Sequence, residues 1–183
     1  MKKENLDIVV ALISEDDLIE RVEWINHPSI SENMYFELPA TYSKTYQWFK
    51  QLSSRENRID FVAKLGECSA AMFGFTEIDK INRKAELYIL VNPDLQGKGI
   101  GYKATTWLIN YGFFVLDLNK IYLYTDIQNS AAVNLYSKVG FTSDGILRSD
   151  KIRNGRFNDR LIMSILKSEW DKMSWKSNQV DIK

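Results

Sequence analysis

The spacing of hydrophobic and polar positions in the first part of the chain predicts a strand followed by a helix. Apolar residues run through Ile8–Ile13, which is long enough for a short strand. Ser14 then supplies a helix cap, and the acidic residues after it are typical of a helix N-terminus. We expect this helix to end at about Asn26, because Pro28 cannot continue a helix and restricts the residue before it.

The middle of the chain changes from a helical to a strand period. After a polar and aromatic connection, Thr41 or Ser43 caps a second predicted helix. Apolar and polar residues then alternate as in strands over three segments, which are Ile59–Lys64, Ala70–Ile78 and Ala85–Val91. Because the turns between these segments are short, the three strands should form an antiparallel meander.

The C-terminal half alternates helices with strands. An apolar stripe from Ile100 to Leu118, with Val115 in it, predicts a long amphipathic helix that packs on the sheet. The later elements are a strand Lys120–Asp126, a helix Ser130–Val139 and two strands, Phe141–Leu147 and Arg156–Leu166. This order predicts a mixed α/β (α+β) fold in a single domain over 1–183. We place its core at about 6–169 and expect a polar, frayed tail from Trp170 to Lys183.

Composition and charge exclude several classes of protein. The chain has 24 basic and 24 acidic residues, so no excess charge attracts nucleic acid or a membrane surface. Its one cysteine, Cys68, excludes an internal disulfide, and no Cys and His cluster has the spacing of a metal site. No apolar run approaches the ~20 residues that a membrane helix needs. We therefore expect a soluble, cytoplasmic protein without a metal.

A glycine-rich segment, Gln96–Gly101, lies between a predicted strand and the start of a helix. Glycine allows the backbone to approach a ligand closely, and the N–H groups at a helix start attract anionic oxygens. A dinucleotide-binding fold would need this loop after the first strand of a parallel unit, but antiparallel strands precede it. A P-loop would need Ser or Thr after the lysine, whereas Gly99 follows Lys98. The segment predicts a phosphate site of another kind.

Two motifs resemble the GCN5-related N-acetyltransferase (GNAT) superfamily. Gln96–Gly101 matches the family pattern Gln/Arg-x-x-Gly-x-Gly/Ala at each specified position, and Asn129–Phe141 is similar to its Asn-x-x-Ala-x-x-Leu-Tyr-x-x-x-Gly-Phe helix. The resemblance covers Ile8 to about Glu169 and agrees with the predicted order of elements. It implies a mostly antiparallel central sheet flanked by helices, splayed between strands 4 and 5, with acetyl-CoA in the gap.

The resemblance also implies which residues hold the coenzyme. The pyrophosphate is expected on the backbone of the glycine loop, and the pantetheine arm on the end of the fourth strand, where backbone groups polarise the thioester carbonyl. The expected contacts are Ile89, Leu90, Val91, Gln96, Gly97, Lys98, Gly99, Ile100, Gly101, Asn129 and Tyr136.

Two residues are hypotheses for proton transfer. Glu86, on the fourth strand, is a candidate to remove a proton from the amine through water, and the alternative is a solvated glutamate paired with Lys84 or Arg83. Tyr136 matches the family's helix tyrosine, which implies that it protonates the departing thiolate. Its alternative role is packing against the coenzyme. His27, the single histidine, is interpreted as a loop contact to the acceptor or as part of a helix end, rather than as a base.

The acceptor is the least determined part of the function. The resemblance points to a branch with amino-sugar nucleotide, ribosomal-protein and spermidine acetyltransferases, and implies acceptor contacts at Trp24, Asn26, His27, Met34, Tyr35 and Glu37. The first choice is direct transfer to a 4-amino sugar nucleotide. A ribosomal-protein N-terminus or a polyamine is the alternative, although Leu38 stands where a second acid would help to hold a polycation. A non-catalytic acyl-CoA sensor and a homo-oligomer remain open.

Overall fold

A single seven-stranded sheet organises the computed structural model, which describes residues 8–173. Its strands are β1 (Val9–Leu12), β2 (Ile59–Leu65), β3 (Cys68–Asp79), β4 (Lys84–Val91), β5 (Lys120–Asp126), β6 (Thr142–Arg153) and β7 (Arg156–Leu166). They lie in the order β1-β2-β3-β4-β5-β7-β6. β4 and β5 are parallel, and the other neighbours are antiparallel. The predicted mixed, mostly antiparallel sheet is confirmed.

Helices cover both faces of this sheet. They are α1 (Leu18–Asn26), α2 (Pro28–Ser31), α3 (Tyr42–Lys50), α4 (Ile100–Asn110), α5 (Ser130–Val139) and α6 (Lys167–Lys172). Neighbouring strand residues point to opposite faces. Accordingly Val62 packs with Trp24 of α1, whereas Phe61 packs with Trp107 of α4. The helices α1 and α4 therefore lie on opposite faces of the sheet.

The sheet opens between its two parallel strands. β4 pairs with β5 only at Lys84–Lys120, Ala85–Ile121 and Glu86–Tyr122. Beyond Glu86, β4 remains paired with β3 on its other side, and β5 remains paired with β7 as far as Asp126. The backbone edges that face the gap are consequently left without a strand partner. This is the splay that the family resemblance predicts.

The N-terminal half contains one helix more than the sequence predicts. The first helix ends at Asn26, as expected from Pro28, but α2 begins at that proline with His27 as its cap. Proline is well suited to the first helical position because a backbone N–H at that position would have no acceptor within the helix. Thr41 caps α3 by accepting a hydrogen bond from the Lys44 N–H.

The C-terminal half requires three corrections. The predicted long helix is α-helical only as far as Asn110 and continues as a π-helical turn, Tyr111–Val115. Val115 is exposed, so it is not part of the apolar stripe. β6 continues six residues beyond Leu147, to Arg153. Trp170 is fully buried and its Nε1 donates to Asn110 Oδ1 at 2.9 Å, so it belongs to the core and not to a frayed tail. Asp171 and Lys172 also belong to a helix, α6, and the remaining part of the predicted tail, 174–183, lies outside the described residues.

Candidate active site

The glycine loop joins β4 to α4 in a conformation that few residues other than glycine adopt. Gly97 has a φ of 76° and Gly99, the cap of α4, has a φ of 84°. A side chain at φ values near these is strained, because its Cβ approaches the neighbouring carbonyl. The first N–H groups of α4 have no intrahelical acceptor and point out of the helix start. The loop therefore forms a backbone site for an anion such as a pyrophosphate.

Three side chains predicted to hold the coenzyme also stabilise the local structure. Gln96 Nε2 donates to Ser29 Oγ of α2 at 3.1 Å, and Lys98 Nζ donates to the Asp94 carbonyl at 3.0 Å. Asn129 Oδ1 accepts from the Ala132 N–H at 3.1 Å and so caps α5. These contacts place Lys98 beside the loop and Asn129 at the start of the next helix.

A cavity of about 240 Å³ lies at the gap between β4 and β5. Its walls come from the two strands, from the segment after α2, from α5 and from the β6–β7 hairpin. Glu86, Ile89 and Tyr136 all line it, so the structure brings together both residues proposed for proton transfer. Leu90 is buried in the core cluster on the face of α1, and its predicted contact to the coenzyme is limited to its backbone.

Tyr136 lies inside this cavity with 8% of its surface exposed. Its ring packs edge-on against Phe141, with the ring centroids 5.7 Å apart. Burial raises the pKa of the Tyr136 hydroxyl, because a phenolate would be poorly solvated there. The hydroxyl is therefore protonated at neutral pH and can donate a proton or a hydrogen bond into the cavity.

Glu86 lies at the last residue pair before the strands separate. Burial raises its pKa, and the positive charge of Arg160 partly offsets this effect. Its Oε2 accepts a 3.5 Å hydrogen bond from Thr76 Oγ1, and no Lys or Arg in residues 8–173 forms an ion pair with it. The predicted alternative, a solvated glutamate paired with Lys84 or Arg83, is not seen.

The predicted acceptor residues divide into two groups. Met34 and Tyr35 line the cavity. The other four lie elsewhere: Trp24 is buried in the core, Asn26 bonds the backbone of Ala40, His27 caps α2, and Glu37 is exposed and paired with Lys44. None of these four side chains lines the cavity.

Several cavity residues were not predicted from the sequence. They include Tyr88, Tyr124, Asp126, Lys151 and Arg160. Tyr88 donates a short hydrogen bond to Asp60, whose carboxylate pairs with both Arg58 Nε and Nη2 at 2.8 Å. Tyr88 shares the strand face of Glu86, two residues away, and this alternation is the one signal that could have revealed it.

The loop, the splayed strands and the tyrosine in the gap define a coenzyme A-dependent acyltransferase. The chain belongs to the GNAT family: residues 8–142 match the model for the acetyltransferase (GNAT) domain. It is therefore an N-acetyltransferase that uses acetyl-CoA, as the loop and its resemblance predict. The backbone groups at the start of α4 and along the unpaired strand edges fit the pyrophosphate and the amide-containing arm of that coenzyme.

The proteins similar to this chain include N-acetyltransferases named for different acceptors. The spermidine N(1)-acetyltransferase of Escherichia coli (strain K12) is 30% identical over 136 residues, which cover 70% of this chain and 73% of the relative. The putative ribosomal N-acetyltransferase YdaF of Bacillus subtilis (strain 168) is 27% identical over 177 residues, 92% of this chain and 96% of the relative.

A solved structure of a related enzyme has a similar fold. The spermidine N-acetyltransferase from Vibrio cholerae in complex with CoA and spermine has a TM-score of 0.85 and 28% identity, and the match covers 91% of this chain and 99% of that one. Within residues 8–173, no helix has the length and apolar character to cross a membrane. The same residues contain no group of three His, Cys, Asp or Glu side chains that could hold a metal.

Proposed function

We propose that this enzyme transfers the acetyl group of acetyl-CoA to a primary amine of a polyamine. The observation that carries the proposal is Glu86, a half-buried carboxylate without an ion pair among the described residues, at the point where the sheet opens. Such a group attracts an ammonium, because a buried carboxylate gains most from an opposite charge. The spermidine acetyltransferases among its relatives support the polyamine alternative better than the amino-sugar first choice.

Proton transfer assigns different roles to the two ionisable cavity residues. The coenzyme supplies a thioester whose carbonyl carbon is open to attack by an amine. An alkylammonium with a pKa near ~10 must lose a proton before or during that attack, and Glu86 accepts this proton directly or through water. Tyr136 donates a proton to the sulfur that departs. The backbone at Ile89–Val91 provides N–H groups toward the carbonyl oxygen, where negative charge develops.

A second acceptor class is favoured by the opposite wall of the cavity. Lys151 and Arg160 line this wall, and their positive charges reach Glu86. Two cations favour an acceptor that carries an anionic group near its amine, as a 4-amino sugar nucleotide does. We keep this class as the second candidate, and a ribosomal-protein N-terminus as a third that the relative from Bacillus subtilis suggests.

Release of free thiol from acetyl-CoA distinguishes these acceptors. The purified enzyme is mixed with acetyl-CoA, a thiol-detecting reagent and, separately, putrescine, spermidine, a 4-amino sugar nucleotide and a basic peptide with a free N-terminus. Polyamine acetylation is expected to have the highest kcat/KM. Faster turnover of the sugar nucleotide or the peptide would replace the polyamine with that class. Tight acetyl-CoA binding without thiol release on any acceptor would support the non-catalytic sensor.

A further inference from the structure

A second carboxylate borders the acceptor cavity at the far end of β5. Asp126 is 5% exposed. Its Oδ2 accepts from Arg153 Nη1 at 3.0 Å and from the Tyr35 hydroxyl at 3.2 Å, and its Oδ1 accepts from the Gln128 N–H at 3.0 Å. The Arg153 guanidinium also lies over the Tyr35 ring, 4.4 Å from its centroid. The Arg160 guanidinium lies farther from the same ring, at 5.9 Å from its centroid. A carboxylate and an aromatic face thus hold the Arg153 cation.

These two groups would suit an alkylammonium as well as an arginine. Ammonium ions are bound by a carboxylate together with the face of an aromatic ring. Arg153 fits the site imperfectly, because its Nε and Nη2 are buried and have no hydrogen-bond partner among the described residues. A guanidinium has five N–H donors, so a site adapted to arginine would be expected to satisfy more of them. We call the Tyr35 ring and the Asp126 carboxylate the second ammonium site.

The second ammonium site is continuous with the cavity that contains Glu86. Tyr35 and Asp126 line that cavity. Glu86 is opposite Tyr122 in the β4–β5 register, and Asp126 lies four residues further along β5. Four residues of strand span about 13 Å of backbone, a length that a long polyamine can bridge and a short diamine cannot.

We propose that Arg153 is a specificity-determining residue that occupies the second ammonium site and thereby restricts the enzyme to short polyamines. This inference rests on the proposed polyamine acetylation. With Arg153 in place, the Asp126 carboxylate is already paired. A second ammonium of a long polyamine therefore cannot pair with it and is repelled by the positive charge of Arg153. A diamine bound near Glu86 does not extend that far. The hairpin between β6 and β7 therefore sets the length and charge of the preferred acceptor.

The test compares kcat/KM for putrescine, spermidine and spermine in the wild-type enzyme and in Arg153→Gln. The glutamine amide can still donate to Asp126 but carries no charge. We expect the wild type to prefer putrescine, and Arg153→Gln to raise the spermine-to-putrescine ratio of kcat/KM about ten-fold, mainly through a lower KM for spermine. Arg156→Gln is the matched control, because Arg156 is exposed on the same hairpin and outside the cavity. It should leave the ratio unchanged.

A second substitution shows whether the gain depends on the proposed site. Adding Asp126→Asn to Arg153→Gln should abolish the improved use of spermine, since the carboxylate is then lost. If a folded Arg153→Gln enzyme has an unchanged spermine-to-putrescine ratio of kcat/KM, this inference is overturned and the proposed function is not affected. If that variant does not fold, the wild type decides, because a higher kcat/KM for spermine than for putrescine contradicts exclusion by Arg153. A wild type that acetylates no polyamine would overturn this inference and the proposed function together.

Discussion

Tyr136 and Glu86 line the same cavity, but burial affects their chemistry differently. Burial raises the pKa of both groups. The tyrosine is protonated at neutral pH even at its ordinary pKa, and burial makes its proton harder to release, so donation to the departing sulfur needs help from the surrounding groups. For the glutamate, burial brings the pKa closer to the working pH, as a general base requires. Neither residue has an ion-pair partner among residues 8–173 that would hold it in one state.

Replacement of Tyr136 by phenylalanine separates proton transfer from packing. The variant keeps the ring that packs on Phe141 but loses the hydroxyl. We expect kcat to fall by about 10²–10⁴ while the dissociation constant of acetyl-CoA stays nearly the same. Steady-state kinetics and calorimetric titration of the coenzyme measure the two quantities. Near-normal turnover would leave Tyr136 with a packing role only.

Replacement of Glu86 by glutamine should change how activity depends on pH. Glu86 accepts a proton only when it is ionised, so kcat/KM of the wild type should fall as the pH decreases through its raised pKa. The Glu86→Gln enzyme should be slower and should lack this acidic limb. Glu23→Gln, at an exposed position of α1, should keep the wild-type profile. If Glu86→Gln shows the same decrease of kcat/KM at low pH, that decrease belongs to the titration of another group.

The same substitution has a consequence for stability. Since the folded state holds the Glu86 proton to a higher pH than the unfolded state, the free energy of unfolding decreases as the pH rises from the ordinary pKa through the raised one. Glu86→Gln should therefore be more stable than the wild type at neutral pH, and the difference should vanish below the ordinary pKa. Thermal unfolding at several pH values measures this. A destabilised variant at neutral pH would contradict the role of burial.

In the loop between β4 and α4, Gly99 is harder to replace by another residue than Gly101. Gly99 has a positive φ, whereas a Cβ added to Gly101 would meet Leu135 Cδ2 at 3.1 Å and Val91 Cγ2 at 3.5 Å. The leucine contact is the end of a flexible side chain that can move. This agrees with the family pattern, which allows alanine at the last position of the loop.

Two matched substitutions test this difference. Gly99→Ala should destabilise the fold by about 1 kcal/mol or more and weaken acetyl-CoA binding, because an L-residue is strained in the left-handed region. Gly101→Ala should bind the coenzyme with an affinity close to that of the wild type. Urea unfolding and coenzyme titration of both variants provide the comparison. If both variants lose the same amount of stability and of affinity for acetyl-CoA, the contacts of the added Cβ atom, and not the backbone conformation, would determine which residues the loop accepts.

At the scale of the whole molecule, the proposed coenzyme site lies where the sheet is divided. The strands β1–β4 and the strands β5–β7 share three residue pairs across β4 and β5. A ligand that inserts between the splayed ends contacts both parts of the sheet. Its binding energy is then added to the stability of the folded state, by about 2.7 kcal/mol at a ligand concentration 100-fold above the dissociation constant.

Hydrogen exchange can locate this stabilisation. Saturating acetyl-CoA should slow exchange of the gap-facing amides in Ile89–Val91 and Leu123–Thr125, which have no strand partner on that side. The amides of Lys84–Glu86 serve as an internal control, because they already lie in the paired part of the two strands. Protection spread evenly over both segments would indicate general stabilisation rather than a ligand in the gap.

The sequence by itself determined the order of elements, and its resemblance to the GNAT family implied the use of acetyl-CoA. Periods of two and 3.6 residues, glycines at a helix start and a tyrosine in a helix motif are local features, so they can be read without a tertiary structure. The same reasoning correctly placed the end of α1 at Asn26, whereas the splay after the fourth strand was implied by the resemblance to the GNAT family.

Tertiary structure alone decided which side chains form the acceptor cavity. Tyr35 and Asp126 are 91 residues apart, and Arg153 reaches them from a hairpin whose predicted strand was too short. Trp170 looked like part of a polar tail until its contact with Asn110, 60 residues earlier, placed it in the core. Contacts of this kind depend on how distant elements pack, and local periodicity contains no information about that packing.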